Sequence, residues 1–184
     1  MRKISLLLTL IFLITSCSKE VVLDIKSQED IDKNIANSYI KVSYDYENLD
    51  LKNCNDFVFE FKDVEVIKLR KSDFDEISKG LINSKLSSVQ TTTGSDFSLE
   101  YRGYKFCMNH LGNIIRNNRR MNDDQDLGYL IKSKSNYYNH FTEEELVKND
   151  SLVNRLGLPF GYNYIDSLAV SKDVLKKKNI ILTY

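Results

Sequence analysis

Residues 97–108 read Phe-Ser-Leu-Glu-Tyr-Arg-Gly-Tyr-Lys-Phe-Cys-Met, and this stretch decides the fold class. Phe97, Leu99 and Tyr101 alternate with Ser98 and Glu100, and Tyr104, Phe106 and Met108 alternate with Lys105 and Cys107. Period-two alternation marks a strand with one buried face. Arg102-Gly103 lies between the two runs, with glycine where a positive φ costs little, and so reads as a hairpin turn. His110-Leu-Gly-Asn113 gives a second turn and Ile114-Ile115-Arg116 a further strand. The segment is therefore an antiparallel meander.

The same reading extends upstream. Ile40, Val42, Tyr44 and Tyr46 alternate with Lys41, Ser43, Asp45 and Glu47, which predicts a half-buried strand. Phe57, Phe59 and Phe61 alternate likewise, and Val64, Val66 and Ile67 follow Lys62-Asp63 with a change of phase that means a tight turn or a bulge. Phe74, Ile77, Leu81 and Ile82 recur at helical spacing behind Ser72, which reads as the cap.

Downstream the pattern becomes helical. Leu127, Leu130, Ile131, Tyr138 and Phe141 share one side of a helix expected near 124–140. Thr142-Glu-Glu-Glu145 has the form of a capping box for the next helix, and Ser151 reads as the cap of a shorter one that ends at Gly157-Leu158-Pro159. Ser171 is expected to begin a last short helix, and Ile180-Ile181-Leu182 to return as a strand. Strands first and helices later predict an α+β fold, an antiparallel sheet with helices packed on it, in a single domain over residues 38–184.

The N-terminus carries a different signal. Arg2 and Lys3 precede an apolar run from Ile4 to Ile14, broken only by Ser5 and Thr9. As a helix, that run would span about 16 Å, roughly half of a ~30 Å bilayer core, which suits an export signal better than a permanent span. Ile14-Thr15-Ser16-Cys17 resembles the lipobox of bacterial lipoproteins: an aliphatic residue, two small residues, then cysteine. The resemblance covers residues 1–17 only. It implies cleavage of residues 1–16, a diacylglycerol on the Cys17 thiol and an acylated (palmitate-type) amino group, hence a membrane anchor made by lipid on Cys17. Ser18 follows, with no Asp to suggest inner-membrane retention, so the outer membrane is expected. Residues 17–37 are then the lipidated N-terminus and tether, with a short helix over 28–37 capped by Ser27 as its one structured piece.

Charge and cysteine follow from that cut. The full chain of 184 residues has 26 basic and 26 acidic side chains; removing Arg2 and Lys3 leaves 24 against 26. A mildly acidic chain draws little attraction from nucleic acid or anionic lipid, so no nucleic-acid partner is expected. With Cys17 lipidated, Cys54 and Cys107 remain in an exported chain, either as a disulfide or as two unrelated thiols. A bond between them would close a loop of about 54 residues, for which chain entropy gives roughly 4 kcal/mol.

No catalytic motif is present: no Gly-x-Ser-x-Gly elbow, no phosphate-binding Gly-x-x-x-x-Gly-Lys loop, no His-Glu-x-x-His. Cys107 and His110 are three apart, which on one strand places them on opposite faces, and a zinc site would lack ligands. His140 beside Glu143, Glu144 and Glu145 is accounted for by two helix ends, the cation at one and the acids at the other. No cofactor, metal or catalytic residue is assigned.

Aromatics stand out instead. Tyr137 and Tyr138 precede a loop, Leu158-Pro-Phe-Gly-Tyr-Asn-Tyr164, carrying Phe160, Tyr162 and Tyr164. Rigid rings on loops suit protein surfaces, because they give contact area at small entropy cost. These five residues are the candidate partner-binding set, although rings that merely cover the sheet would give the same pattern. The expectation is a non-enzymatic, lipid-anchored envelope protein that binds another envelope protein as an inhibitor, an immunity-type protector or an assembly factor. The alternative is a small envelope hydrolase.

Overall fold

Arg102 and Gly103 both take positive φ, 51° and 75°, and close the hairpin between strands β4 (Phe97–Tyr101) and β5 (Tyr104–Met108). Phe97 faces Met108 and Tyr101 faces Tyr104 across it. The computed structural model describes residues 23–45, 53, 56–90, 94–122, 125–165 and 177–184. Cys17, Cys54, Tyr46 and the helix expected from Ser171 lie outside those residues.

Around the hairpin, the described strands are β1 (Ile40–Asp45), β2 (Val64–Lys68), β3 (Leu86–Gln90), β6 (Ile114–Arg116), β7 (Arg119–Met121) and β8 (Lys177–Thr183). They form one sheet in the order β2-β8-β1-β4-β5-β6-β7-β3. The fold is α+β. Every pairing is antiparallel except β2 with β8, which run parallel with Val66 opposite Ile181. That exception arises because β8, last in sequence, inserts between β2 and β1, and antiparallel pairing with β1 fixes its direction. Its run Ile180-Ile181-Leu182 is apolar without alternation, as a strand buried on both faces requires.

Helices α2 (Lys71–Asn83), α3 (Gln125–Lys134), α4 (Glu143–Asn149) and α5 (Ser151–Leu156) cover one face. Phe74, Ile77 and Leu81 of α2, Ile131 of α3, Leu146 of α4 and Val153 of α5 pack on Val42, Leu99, Phe106 and Ile180 from the sheet. The other face has its own smaller core. Helix α1 (Gln28–Asn34), capped by Ser27, sets Ile31 with Ile25 and Ile35 against Ile181, joined by Phe59, Phe61, Val64 and Val66.

That second layer explains two departures from expectation. β1 is buried on both sides, not one. Its polar positions are satisfied underneath: Lys41 pairs with Glu100 at 3.3 Å with its ammonium 5.6 Å from both Phe59 and Phe61 rings, and Ser43 bonds Asn179 at 3.0 Å. Phe57, Phe59 and Phe61 alternate but form no strand, since they cover the sheet instead of joining its edge; the Glu60 N–H goes to the Asn179 side chain at 3.2 Å. β3 is too polar and β7 too short to announce itself, Leu86-Ser-Ser-Val-Gln90 and Arg119-Arg-Met121.

Helix ends also differ locally. α2 begins at Lys71 with Arg70 as its cap residue, so Ser72 is not the cap; its hydroxyl faces Asp73 at 3.4 Å. The helix expected near 124–140 stops at Lys134, because Asn136 adopts a left-handed φ of 58° and restarts the chain as a 3-10 turn over Tyr137–His140. Thr142 and Glu145 form the capping box as read. α5 is capped by Asp150, not Ser151, through bonds to Leu152 N–H at 2.8 Å and Val153 N–H at 3.1 Å.

Candidate functional site

The β4–β5 register has a consequence at its open end. With Phe97 opposite Met108, the residues just outside the pair are brought together, and these are Asp96 and the Asn109–His110 corner. The Asp96 N–H donates to the Met108 carbonyl at 2.9 Å, which fixes its backbone. His110 Nδ1 then lies 3.7 Å from Asp96 Oδ2, the imidazole about half exposed and the carboxylate buried. Helices α4 and α5 and the 3-10 turn roof this end of the sheet. Between roof and sheet lies a cleft of about 560 Å³, walled by Tyr137, Phe141 and Leu146 and edged by Asp96, His110, Glu145 and Asp150.

The polar groups differ sharply in what they already do. Asp150 is committed twice, to the α5 N-terminus and to the Lys132 ammonium at 3.0 Å. Lys132 is fully buried; it also donates to the His110 carbonyl and sits 5.1 Å from the Tyr137 ring centroid. Burial lowers its pKa, and Asp150 holds it up. Glu145 accepts from the Thr142 N–H at 2.8 Å and hydroxyl at 2.9 Å. Asp96 is the exception: its Oδ2 is buried without a hydrogen-bond partner. Burial raises its pKa, only partly offset by His110 and Lys132.

Tyr137 and Tyr138 do not share the exposed surface of the loop aromatics. Both rings are buried, Tyr137 at 4.8 Å from Phe97 and 5.3 Å from Tyr44, and Tyr138 at 5.6 Å from Tyr129. The Asn136 turn swings them inward, and there they seal the sheet under the helices. Phe160 does the opposite and is fully exposed at the tip of its loop, with Tyr164 41% exposed beside it. Tyr162 anchors the loop: its ring packs against the core and its hydroxyl donates to the Phe141 carbonyl at 2.7 Å. Of the five aromatics read from the sequence, the fold therefore presents two, buries two and uses one as a post.

His140 is likewise interior. Its Nε2 is 3.2 Å from the Tyr44 hydroxyl, which donates to the Ser135 carbonyl at 3.3 Å. Burial, with Lys178 adding to it, pushes its pKa from 6.5 to about 4. The unfolded chain therefore binds the proton more tightly, and stability present above pH 6.5 is lost as pH falls toward 4. Full linkage would be about 3 kcal/mol, and incomplete burial reduces this to about 2 kcal/mol. Urea unfolding at pH 7.0 and 4.5 should show this loss in the native chain and its disappearance in His140→Gln. An unchanged difference in the variant would assign the acid sensitivity elsewhere.

Cys107 is buried and disulfide-bonded, its partner outside the described residues, so it offers no thiolate beside His110. Among the described residues no group of three His, Cys, Asp or Glu is placed to hold a metal ion, and no helix is long and apolar enough to cross a membrane. Against family models, curated proteins and solved structures, the chain finds no match.

Nothing in the local sequence marks the cleft, because Ser95-Asp96 carries no motif. The available signal was hairpin arithmetic: once 97 pairs with 108, residue 96 must face the chain leaving at 109.

Proposed function

We propose that this chain is a lipid-anchored envelope protein, held by acyl chains on Cys17 at the outer membrane, whose domain binds another envelope protein as an inhibitor, immunity-type protector or assembly factor. The observation that carries the binding role is Phe160, a large ring wholly in water on a loop that is otherwise tied down. Gly157 and Gly161 take φ of 83° and 82°, the Tyr162 N–H donates to the Pro159 carbonyl at 3.0 Å, and the Ile165 N–H donates to the Asn139 carbonyl at 2.7 Å. A preformed loop spares a partner the ordering entropy, and an exposed aromatic anchor supplies apolar area. Leu156 and Ile165, both exposed, add to the apolar character of the segment.

In this cleft, among the described residues, a hydrolase would have to work from Asp96 and His110. The described lining of the cleft offers no serine, threonine or cysteine as nucleophile, and burial keeps the Tyr137 phenol protonated. These points support binding over turnover. With Cys17 acylated, the disulfide of Cys107 falls to Cys54.

The test is photocrosslinking in intact envelopes with mass spectrometry, run on the native chain and on Phe160→Ala and Cys17→Ser variants. Capture of one reproducible envelope protein should drop at least about tenfold in Phe160→Ala, the scale of a central aromatic anchor. The Cys17→Ser chain should lose both acyl labelling and the membrane fraction. Undiminished capture by Phe160→Ala removes the loop from the account, and continued acyl labelling of Cys17→Ser removes the anchor.

A further inference from the structure

The cleft beside Asp96 is lined by residues other than those of the Phe160 loop and has chemistry of its own. Its walls are aromatic and aliphatic, with the Tyr137 and Phe141 rings 5.1 Å apart at their centroids. At about 560 Å³ it falls within the range of small-molecule sites. Its polar groups are unbalanced in sign: three carboxylates edge it, and His110 is the single cationic type among them. Lys132, whose charge also acts on Asp96, is occupied by Asp150 and the His110 carbonyl.

Within that set Asp96 is unfinished. It is 7% exposed, and its Oδ2 makes no hydrogen bond, with the His110 imidazole Nδ1 facing it at 3.7 Å. A buried carboxylate left short of donors is costly, and a ligand that brings an N–H donor with positive charge recovers that cost on binding. An anion would meet three carboxylates, and a neutral apolar body would leave Asp96 as it is. A divalent metal lacks the clustered ligands it needs among the described residues. The Tyr137 ring already neighbours one ammonium, that of Lys132, so cation–π attraction at this wall is part of the fold.

We infer that the cleft is a binding site for an organic ammonium, its charged nitrogen on Asp96 and its apolar body between Tyr137, Phe141 and Leu146. This assignment stands whether or not the Phe160 loop docks a partner. The ammonium belongs either to a free amine or to a lysine side chain presented by another chain, and the chemistry at Asp96 is the same for both.

The test uses the full-length chain in detergent micelles at pH 7.5. Phenethylammonium, its neutral counterpart phenethyl alcohol and N-acetyl-lysine-N-methylamide are titrated by calorimetry, with backbone amide shifts mapping the site. Phenethylammonium should bind saturably, move the amides of 96, 110, 141 and 146, and exceed the alcohol by at least about tenfold, the increment of a charge-assisted bond. Asp96→Asn should lose that tenfold and yet melt no lower than the native chain, because it removes a carboxylate that the fold disfavours. If the lysine derivative outbinds phenethylammonium, the ligand is a presented side chain; the reverse order makes it a free amine. Equal binding of ammonium and alcohol by the native chain overturns the proposal without any variant, as does full affinity in a folded Asp96→Asn.

Discussion

Asp150→Ala is expected to be among the most damaging single truncations of the domain, at about 4–6 kcal/mol of unfolding free energy. The reason is that one carboxylate serves two structures. It caps α5 through the Leu152 and Val153 N–H groups, and loss of such a cap costs about 1 kcal/mol. It also neutralises Lys132, which has no exposure at all, and orphaning a buried charge costs about 3–5 kcal/mol. The lysine has one escape. It can shed its proton, which from a reference pKa of 10.5 costs about 5 kcal/mol at pH 7 and so bounds the penalty.

That escape gives the experiment a second reading. In Asp150→Ala the folded Lys132 has a pKa depressed below its unfolded value, so the unfolded chain binds the extra proton. Stability of the variant should rise as pH climbs from 7 toward 10.5, relative to the native chain. Lys132→Met, by contrast, keeps an apolar stem in the buried position and leaves Asp150 with its two backbone donors, and should cost only about 1–2 kcal/mol. Urea denaturation of both variants at pH 7 and 9 checks the asymmetry. A Lys132→Met chain weaker than Asp150→Ala would mean that the ammonium organises the cleft and the carboxylate merely follows.

What could be read in advance divides along a physical line. Features set by neighbours in sequence were legible: the Arg102-Gly103 turn, the Thr142–Glu145 box, the apolar faces of α2 and β4. Each depends on backbone preference or periodicity within a dozen residues. Features set by which layer covers which face were not. Lys41 looks like a solvent position, and only the arrival of Phe59 and Phe61 over it makes it interior. Tyr137 and Tyr138 look like part of a surface stripe until Asn136 turns left-handed. The Lys132–Asp150 pair joins two helices and leaves no local trace. Asp96 is intermediate, since its partner His110 follows from register alone, but its burial depends on the helical roof.

A close backbone approach lies at a glycine that no motif marks. Gly128 sits in α3 directly against Gly112 of the Asn109–Asn113 turn, where Gly112 holds a φ of 78°. A Cβ added at Gly128 would meet the Gly112 carbonyl oxygen, its Cα at 2.6 Å and its carbonyl carbon at 2.9 Å. All three are backbone, so no rotamer change relieves the clash and the turn itself must move. Gly128→Ala should therefore cost about 3 kcal/mol net, even though alanine gains about 1 kcal/mol of helix propensity. At this chain length that is a fall of roughly 10 °C in Tm. Gly80→Ala is the control. Its Cβ also meets atoms at 2.7 and 2.9 Å, but these are the tips of the Leu127 side chain, which can rotate away. There the propensity gain and the repacking should nearly cancel. The contrast extends to the cleft, because the turn displaced by Gly128→Ala carries His110, whose carbonyl accepts the Lys132 ammonium and whose imidazole faces Asp96. Melting and phenethylammonium titration of the two variants should separate together: Gly80→Ala near the native chain in both, Gly128→Ala lower in both. A Gly128→Ala chain that melts like the native one would show that α3 can lift from the turn freely, and the tight seam under the cleft would have to be abandoned.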